Sequence, residues 1–228
     1  MNQTLHAYQP ATAVAAERNR VLRNTYWLLA LSMVPTVLGA WIGVSTGISR
    51  AMSPGIGLMV FLGGAFAFMF AIEKTKNSAA GVPVLLAFTF FMGLMLSRLI
   101  GAVLGLGNGA SLVMTAFAGT GAVFLGMATL SSVIKRDLSA MGKWLFVGAV
   151  VLLVAGIANF FIQSSALMIT LSVLAIGIFS AFILHDLKRV QDGLETNYIT
   201  ATLGVYLSIY NVFQSLLALL GFSSAHDE

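Results

Sequence analysis

The stretch Leu145–Phe161 reads LFVGAVVLLVAGIANFF. It holds no charged residue, and wound as a helix it is apolar on every side. Hydrocarbon offers backbone amides no water, so only helices and closed barrels span a bilayer. A barrel strand alternates apolar and polar residues over about 10 positions. Leu145–Phe161 does not alternate and runs longer, so it reads as a membrane-spanning helix.

Similar runs fill the chain on both sides of it. Segments without Asp, Glu, Lys or Arg extend over Asn24–Ser49, Ala51–Ile72, Asn77–Ser97, Leu99–Ile134, Trp144–His185 and Thr196–His226. A crossing needs about 20 apolar residues in helix. The Trp144–His185 run holds two crossings, broken near Gln163-Ser164-Ser165. The Leu99–Ile134 run holds the end of one crossing and the whole of the next. Seven crossings follow, over Thr25–Ile48, Pro54–Ile72, Pro83–Leu104, Ala110–Val133, Lys143–Ile162, Ala166–Leu187 and Ala201–Phe222. The fold class is thus all-α integral membrane. Composition agrees: 58% of the 228 residues are hydrophobic and 9% charged, whereas a soluble domain carries about 25% charged residues.

The basic residues fix an expected orientation. Arg18, Arg20, Arg23, Lys74, Lys76, Lys135, Arg136, Lys143, Lys188 and Arg189 fall on one side of the seven crossings; Arg50 and Arg98 fall on the other. Cytoplasmic loops retain positive charge, so the N-terminus is expected in the cytoplasm and the C-terminus in the periplasm of a bacterial inner membrane. The net charge of +4 follows from this bias and calls for no nucleic-acid partner. The organisation expected is a cytoplasmic tail over residues 1–23, a transmembrane domain over 24–222 and a short tail over 223–228. The first apolar run is too long for a signal peptide and reads as an uncleaved crossing. There is no cysteine, so thiols say nothing of the redox compartment.

Pro54 and Pro83 suit first-turn positions, and Pro35 lies inside the first crossing. Gly39, Gly43 and Gly47, and Gly101 and Gly105, stand four apart, a spacing that lets helix backbones approach; internal packing is the expected use.

No phosphate loop, His-Glu-x-x-His, Gly-x-Ser-x-Gly or metal-ligand cluster is present. The expectation is a non-enzymatic protein with no catalytic residue, metal or cofactor. Ionisable groups at membrane depth mark candidate sites. Arg98, late in the third crossing, can snorkel to the interface. Asp186 ends the sixth crossing, and continued helix would put Arg189 on its face at i,i+3. The pair is either an interfacial ion pair or a carboxylate that gates something by protonation. The seventh crossing carries Thr202, Tyr206, Ser208, Tyr210, Asn211, Gln214 and Ser215, a polar stripe that must face protein or water. This helix is therefore expected at the centre of the bundle, either as a hydrogen-bonded seam or as the lining of a path.

Three stretches of the C-terminal quarter resemble the signature of the Bax inhibitor (transmembrane Bax inhibitor motif) family: Leu194-Glu-Thr-Asn-Tyr-Ile-Thr-Ala-Thr, Val205-Tyr-Leu-Ser-Ile-Tyr-Asn-Val-Phe and Leu216-Leu-Ala-Leu-Leu-Gly221. Val21–Tyr26, Lys135-Arg-Asp-Leu-Ser139 and Ala158-Asn-Phe-Phe161 are similar too, and the bacterial YccA-type branch fits best. The resemblance implies three helix pairs around a central seventh helix. It also implies two activities. In the first, modulation of the membrane-anchored AAA+ metalloprotease FtsH, the protein engages the protease and its prohibitin-like partners and hinders degradation of membrane substrates. A cytoplasmic tail would give the protease something to grip. In the second, a pH-sensitive calcium leak, a pair of aspartates is the sensor and Ca2+ is the transported ion. Asp186 matches one aspartate, but Ser208 stands at the other position, so the dyad is broken. Lys74 or Lys76 matches the family's basic partner only loosely. The broken dyad favours the first activity.

Overall fold

Helix-forming Ala, Glu, Arg and Leu run without a breaker from Ala11, just past Pro10, and the first helix starts there. In the computed structural model the described residues are 11–227, with side chains described over 16–225. Helix α1 spans Ala11–Thr46 and passes through Pro35. It thus reaches back through the C-terminal half of the expected tail; Met1–Pro10 lie outside the described residues. Gly47, at φ 67°, breaks the helix and starts the single turn α2, Ile48–Ala51. Then follow α3 (Pro54–Thr75), α4 (Gly81–Val103), α5 (Gly109–Val133), α6 (Met141–Ile162), α7 (Ser165–Gln191) and α8 (Tyr198–Asp227). No strand occurs among the described residues, and seven of these helices are long and apolar enough to cross a membrane.

The turns have local causes. Ser53 caps α3 by accepting from the Ile56 N–H, with Pro54 in the first turn. Gln163 takes a left-handed conformation between α6 and α7, where the break was expected; the Asn159 side chain accepts from the Ser164 N–H, and Ser164 caps α7. In the α5–α6 loop, Asp137 accepts from both the backbone N–H (2.8 Å) and the hydroxyl (2.6 Å) of Ser139. These two bonds hold the Asp137 carboxyl below its usual range, so it stays charged at physiological pH. Helix α7 continues past Asp186 to Gln191; left-handed Gly193 then ends it, its N–H donating to Val190.

Packing centres on α8, which touches α1, α3, α4, α5 and α7. The main core gathers Leu28 and Leu29 of α1, Leu85, Phe88 and Met92 of α4, Ile183 and Leu187 of α7, and Val205, Tyr206 and Tyr210 of α8. The closest pair is α1 with α4. There the Gly39 and Gly43 spacing does what was expected: a methyl group on Gly39 would overlap the Phe90 carbonyl, and one on Gly43 would meet Ser97. Two clamps from α2, just past the end of α1, hold α4 beside it: a 2.6 Å bond between the buried hydroxyls of Ser49 and Ser97 and a bond from the Arg50 guanidinium to the Gly101 carbonyl. Helix α6 stands apart. It packs on α7, and none of its residues is buried.

Candidate functional site

The site builds outward from two adjacent residues of α7. Successive helical residues point about 100° apart, so His185 and Asp186 face different neighbours. Asp186 faces α8, where Gly204 leaves a notch: a Cβ at Gly204 would lie 2.8 Å from Asp186 Oδ2. His185 faces the first turn of α6, where a Cβ at Gly142 would lie 2.7 Å from His185 Nε2. Glycine at both places lets a polar side chain lie directly on backbone. The two groups join at 3.1 Å, Nδ1 to Oδ1, with side chains 8% and 18% exposed. With its hydrogen on Nδ1 the ring donates to the carboxylate. The pair ties α6, α7 and α8 together.

Ser208, one turn beyond Gly204, lies close to this notch but does not join the pair. Its hydroxyl donates to the Gly204 carbonyl at 3.0 Å, within its own helix. Arg189 follows on the continued helix, yet the ion-pair partner of Asp186 is His185; neighbouring Lys188 pairs with Asp192 at 2.5 Å. Lys74 sits over the Phe70 ring at 5.4 Å, and Lys76 binds Glu73 at 2.6 Å. Both belong to α3 and its end. Arg98 is exposed at the far end of α4 and lies across Gly57 of α3, in keeping with an interface anchor. Among the described residues no three His, Asp or Glu side chains gather as a metal site.

The polar stripe of α8 divides in two. Tyr206 and Tyr210 point into the α1–α4 pair. The Tyr206 hydroxyl meets Thr36 Oγ1 at 2.9 Å and the Thr89 carbonyl at 3.4 Å, and Tyr210 donates to the Met92 carbonyl at 3.4 Å. Thr202 donates to the Tyr198 carbonyl of its own helix and lies 3.4 Å from the Thr25 carbonyl. Asn211, half-buried, donates to the Leu207 carbonyl of its own helix at 2.8 Å. Thr202, Tyr206, Tyr210 and Asn211 therefore form a hydrogen-bonded seam, with Tyr206, Phe88, Leu85 and Met92 fully enclosed in it, while Gln214 stays outside it, exposed. Two surface grooves, about 470 and 350 Å³, flank Trp27 of α1; Asp186 lines neither.

Asn197 anchors the start of α8. Its Oδ1 accepts from the Ile199 and Thr200 N–H groups, and its Nδ2 donates to the Lys76 carbonyl and Asn77 Oδ1. Glu195 in turn accepts from the Asn197 N–H at 2.9 Å. The Glu195-Thr-Asn-Tyr motif is thus a helix cap that also grips the α3–α4 turn. Sequence reasoning missed His185 as a partner, and Asn197. The His-Asp dipeptide and the Asn immediately before the first residue of α8 were the available signals.

A bundle of seven membrane-length apolar helices, with the polar α8 at its centre, defines a multi-pass membrane protein. Comparison with known proteins says which kind. The family model described as inhibitor of apoptosis-promoting Bax1 matches residues 18–225, and the chain belongs to this Bax inhibitor family. An Escherichia coli protein named modulator of FtsH protease YccA is 38% identical over 206 residues, 90% of this chain and 91% of that one. A Vibrio cholerae membrane protein is 34% identical over the full length of both chains. A Neisseria meningitidis protein is 37% identical over 94% of this chain and 96% of its own.

Proposed function

We propose that this protein is an inner-membrane modulator of the membrane-anchored AAA+ metalloprotease FtsH and hinders degradation of other membrane substrates. The observation that carries this is the near full-length likeness to the E. coli protein named for that role. The filled seam along α8 supports it, because a closed bundle suits binding a partner better than passing an ion. The ten-to-two split of basic residues orients the N-terminal segment toward the cytoplasm, where the protease and its prohibitin-like partners could engage it. Affinity purification of the tagged full chain from bacterial inner membranes tests the reading. FtsH is expected in the eluate at a level well above an unrelated seven-helix control. Equal recovery with both baits would remove the proposal.

A second reading, a pH-sensitive calcium or cation leak gated near Asp186, draws on the His185–Asp186 pair in the Gly204 notch. Against it stands Ser208, which replaces a second carboxylate and bonds within its own helix. Liposomes holding the purified protein separate the two readings. No Ca2+ flux above empty liposomes is expected between pH 6 and 8 (a window spanning the usual histidine titration). A pH-dependent flux altered by Asp186→Asn would reverse the order.

A further inference from the structure

Polar side chains facing lipid normally satisfy themselves on their own helix, and this bundle follows the rule at exposed hydroxyls. Thr115 donates to the Ser111 carbonyl, Thr129 to Leu125 and Thr170 to Ala166. Gln214 departs from it. Its side chain is exposed and makes no hydrogen bond or ion pair among the described residues. It also sits deep. The crossing part of α8 runs over Tyr198–Ala225, so Gln214 lies about 4 Å from its midpoint at helical rise. A primary amide there presents two N–H donors and a carbonyl to hydrocarbon, which can pair with none of them.

The position on the wheel is equally specific. Tyr206 and Tyr210 face α1 and α4, Leu216 and Leu217 face the α4–α5 cluster, and Gly204 faces Asp186 of α7. Gln214 projects through the remaining sector, beside half-buried Leu207 and Ala218. Along residues 198–222 the central helix is exposed at Gln214, and an unpaired amide stands in that opening.

We infer that this opening seats a single transmembrane helix of a partner, held by a hydrogen bond from a polar side chain of that helix to Gln214. The inference rests on the modulator reading and identifies the partner helix as a membrane anchor of FtsH. Lipid tails cannot satisfy the amide. Water needs two to four polar partners to stay; Leu207 and Ala218 offer none, and Asn211, one turn back, already spends its amide N–H on the Leu207 carbonyl. A second copy of this chain is the poorer occupant, since its own Gln214 lies on the central helix and the surrounding helices of two copies would meet first. One isolated helix fits an opening one sector wide.

The test places a photo-crosslinking residue at Ala218 of the full chain and irradiates inner membranes. The expected product is a crosslink to the FtsH membrane anchor. In Gln214→Leu it should fall roughly fivefold or more, the weight of one interhelical hydrogen bond, with partial rescue by Gln214→Asn and an unchanged melting temperature. If FtsH co-purifies but the crosslink ignores Gln214→Leu, this surface is wrong while the modulator reading stands. If FtsH does not co-purify at all, the reading fails and the inference with it. A crosslink to a second copy overturns the inference in favour of self-association. Rapid labelling of Gln214→Cys by a membrane-impermeant maleimide overturns it in favour of a water-filled cleft.

Discussion

Gly93→Leu is expected to abolish folded protein, while Gly177→Leu leaves it nearly intact. Gly93 of α4 lies against the main chain of α1: a methyl group there would overlap the Thr36 carbonyl and crowd its Cα. Backbone cannot rotate out of the way as a side chain can. Leucine at 93 must therefore push α1 and α4 apart along the most extensive interface in the bundle. That movement also undoes the Gly39 contact with Phe90 and pulls on the Ser49–Ser97 and Arg50–Gly101 clamps. Overpacking alone costs about 1–3 kcal/mol. With the clamps lost the total passes about 4 kcal/mol, a large part of the stability of an ordinary domain. At Gly177 nothing lies within 4 Å, so the added side chain meets only lipid. Size-exclusion profiles and thermal unfolding in detergent check the contrast between the two variants.

The second large effect is expected at Tyr206. Its ring is enclosed, edge-on to Phe88 at 6.1 Å and tilted against Tyr210 at 6.3 Å, and its hydroxyl reaches Thr36. Tyr206→Ala should destabilise the bundle by about 3–5 kcal/mol, the usual loss for a large buried side chain. Tyr206→Phe should lose only about 1 kcal/mol, the net value of the hydrogen bond. The ratio reports how the bundle coheres. Lipid is as apolar as the core, so burial between helices gains little from water exclusion, and close packing dominates. Equal losses in the two variants would mean that the hydroxyl, not the ring, holds α8 in place. Unfolding of both variants in one detergent measures the difference.

The crossings were legible because each must bury or expose only apolar surface for some 30 Å, and long charge-free runs such as Leu145–Phe161 satisfy that in any register. The break at Gln163 and the central place of α8 were legible for related reasons: polar Gln-Ser-Ser interrupts an apolar run, and most of a polar stripe must turn away from lipid. Other features depend on partners far apart in the chain. Nothing in the run around Ala11 separates helix outside the membrane from an extended tail. The weak packing of α6 was hidden because a lipid-facing helix and an enclosed one are equally apolar. At the site, helical spacing pointed from Asp186 to Arg189 on the same helix. The structure turns the carboxylate instead onto Gly204 of α8 and pairs it with His185. Two glycines, at 142 and 204, make that possible, and a missing side chain leaves no local pattern to read.

Protease activity in a defined membrane tests the central claim most directly. Purified FtsH and a membrane-embedded substrate are placed in proteoliposomes with increasing amounts of this protein, and loss of substrate is followed in the presence of ATP. The rate is predicted to fall as the protein is added and to level off once the protease is saturated. A rate that stays constant through excess protein would contradict the account.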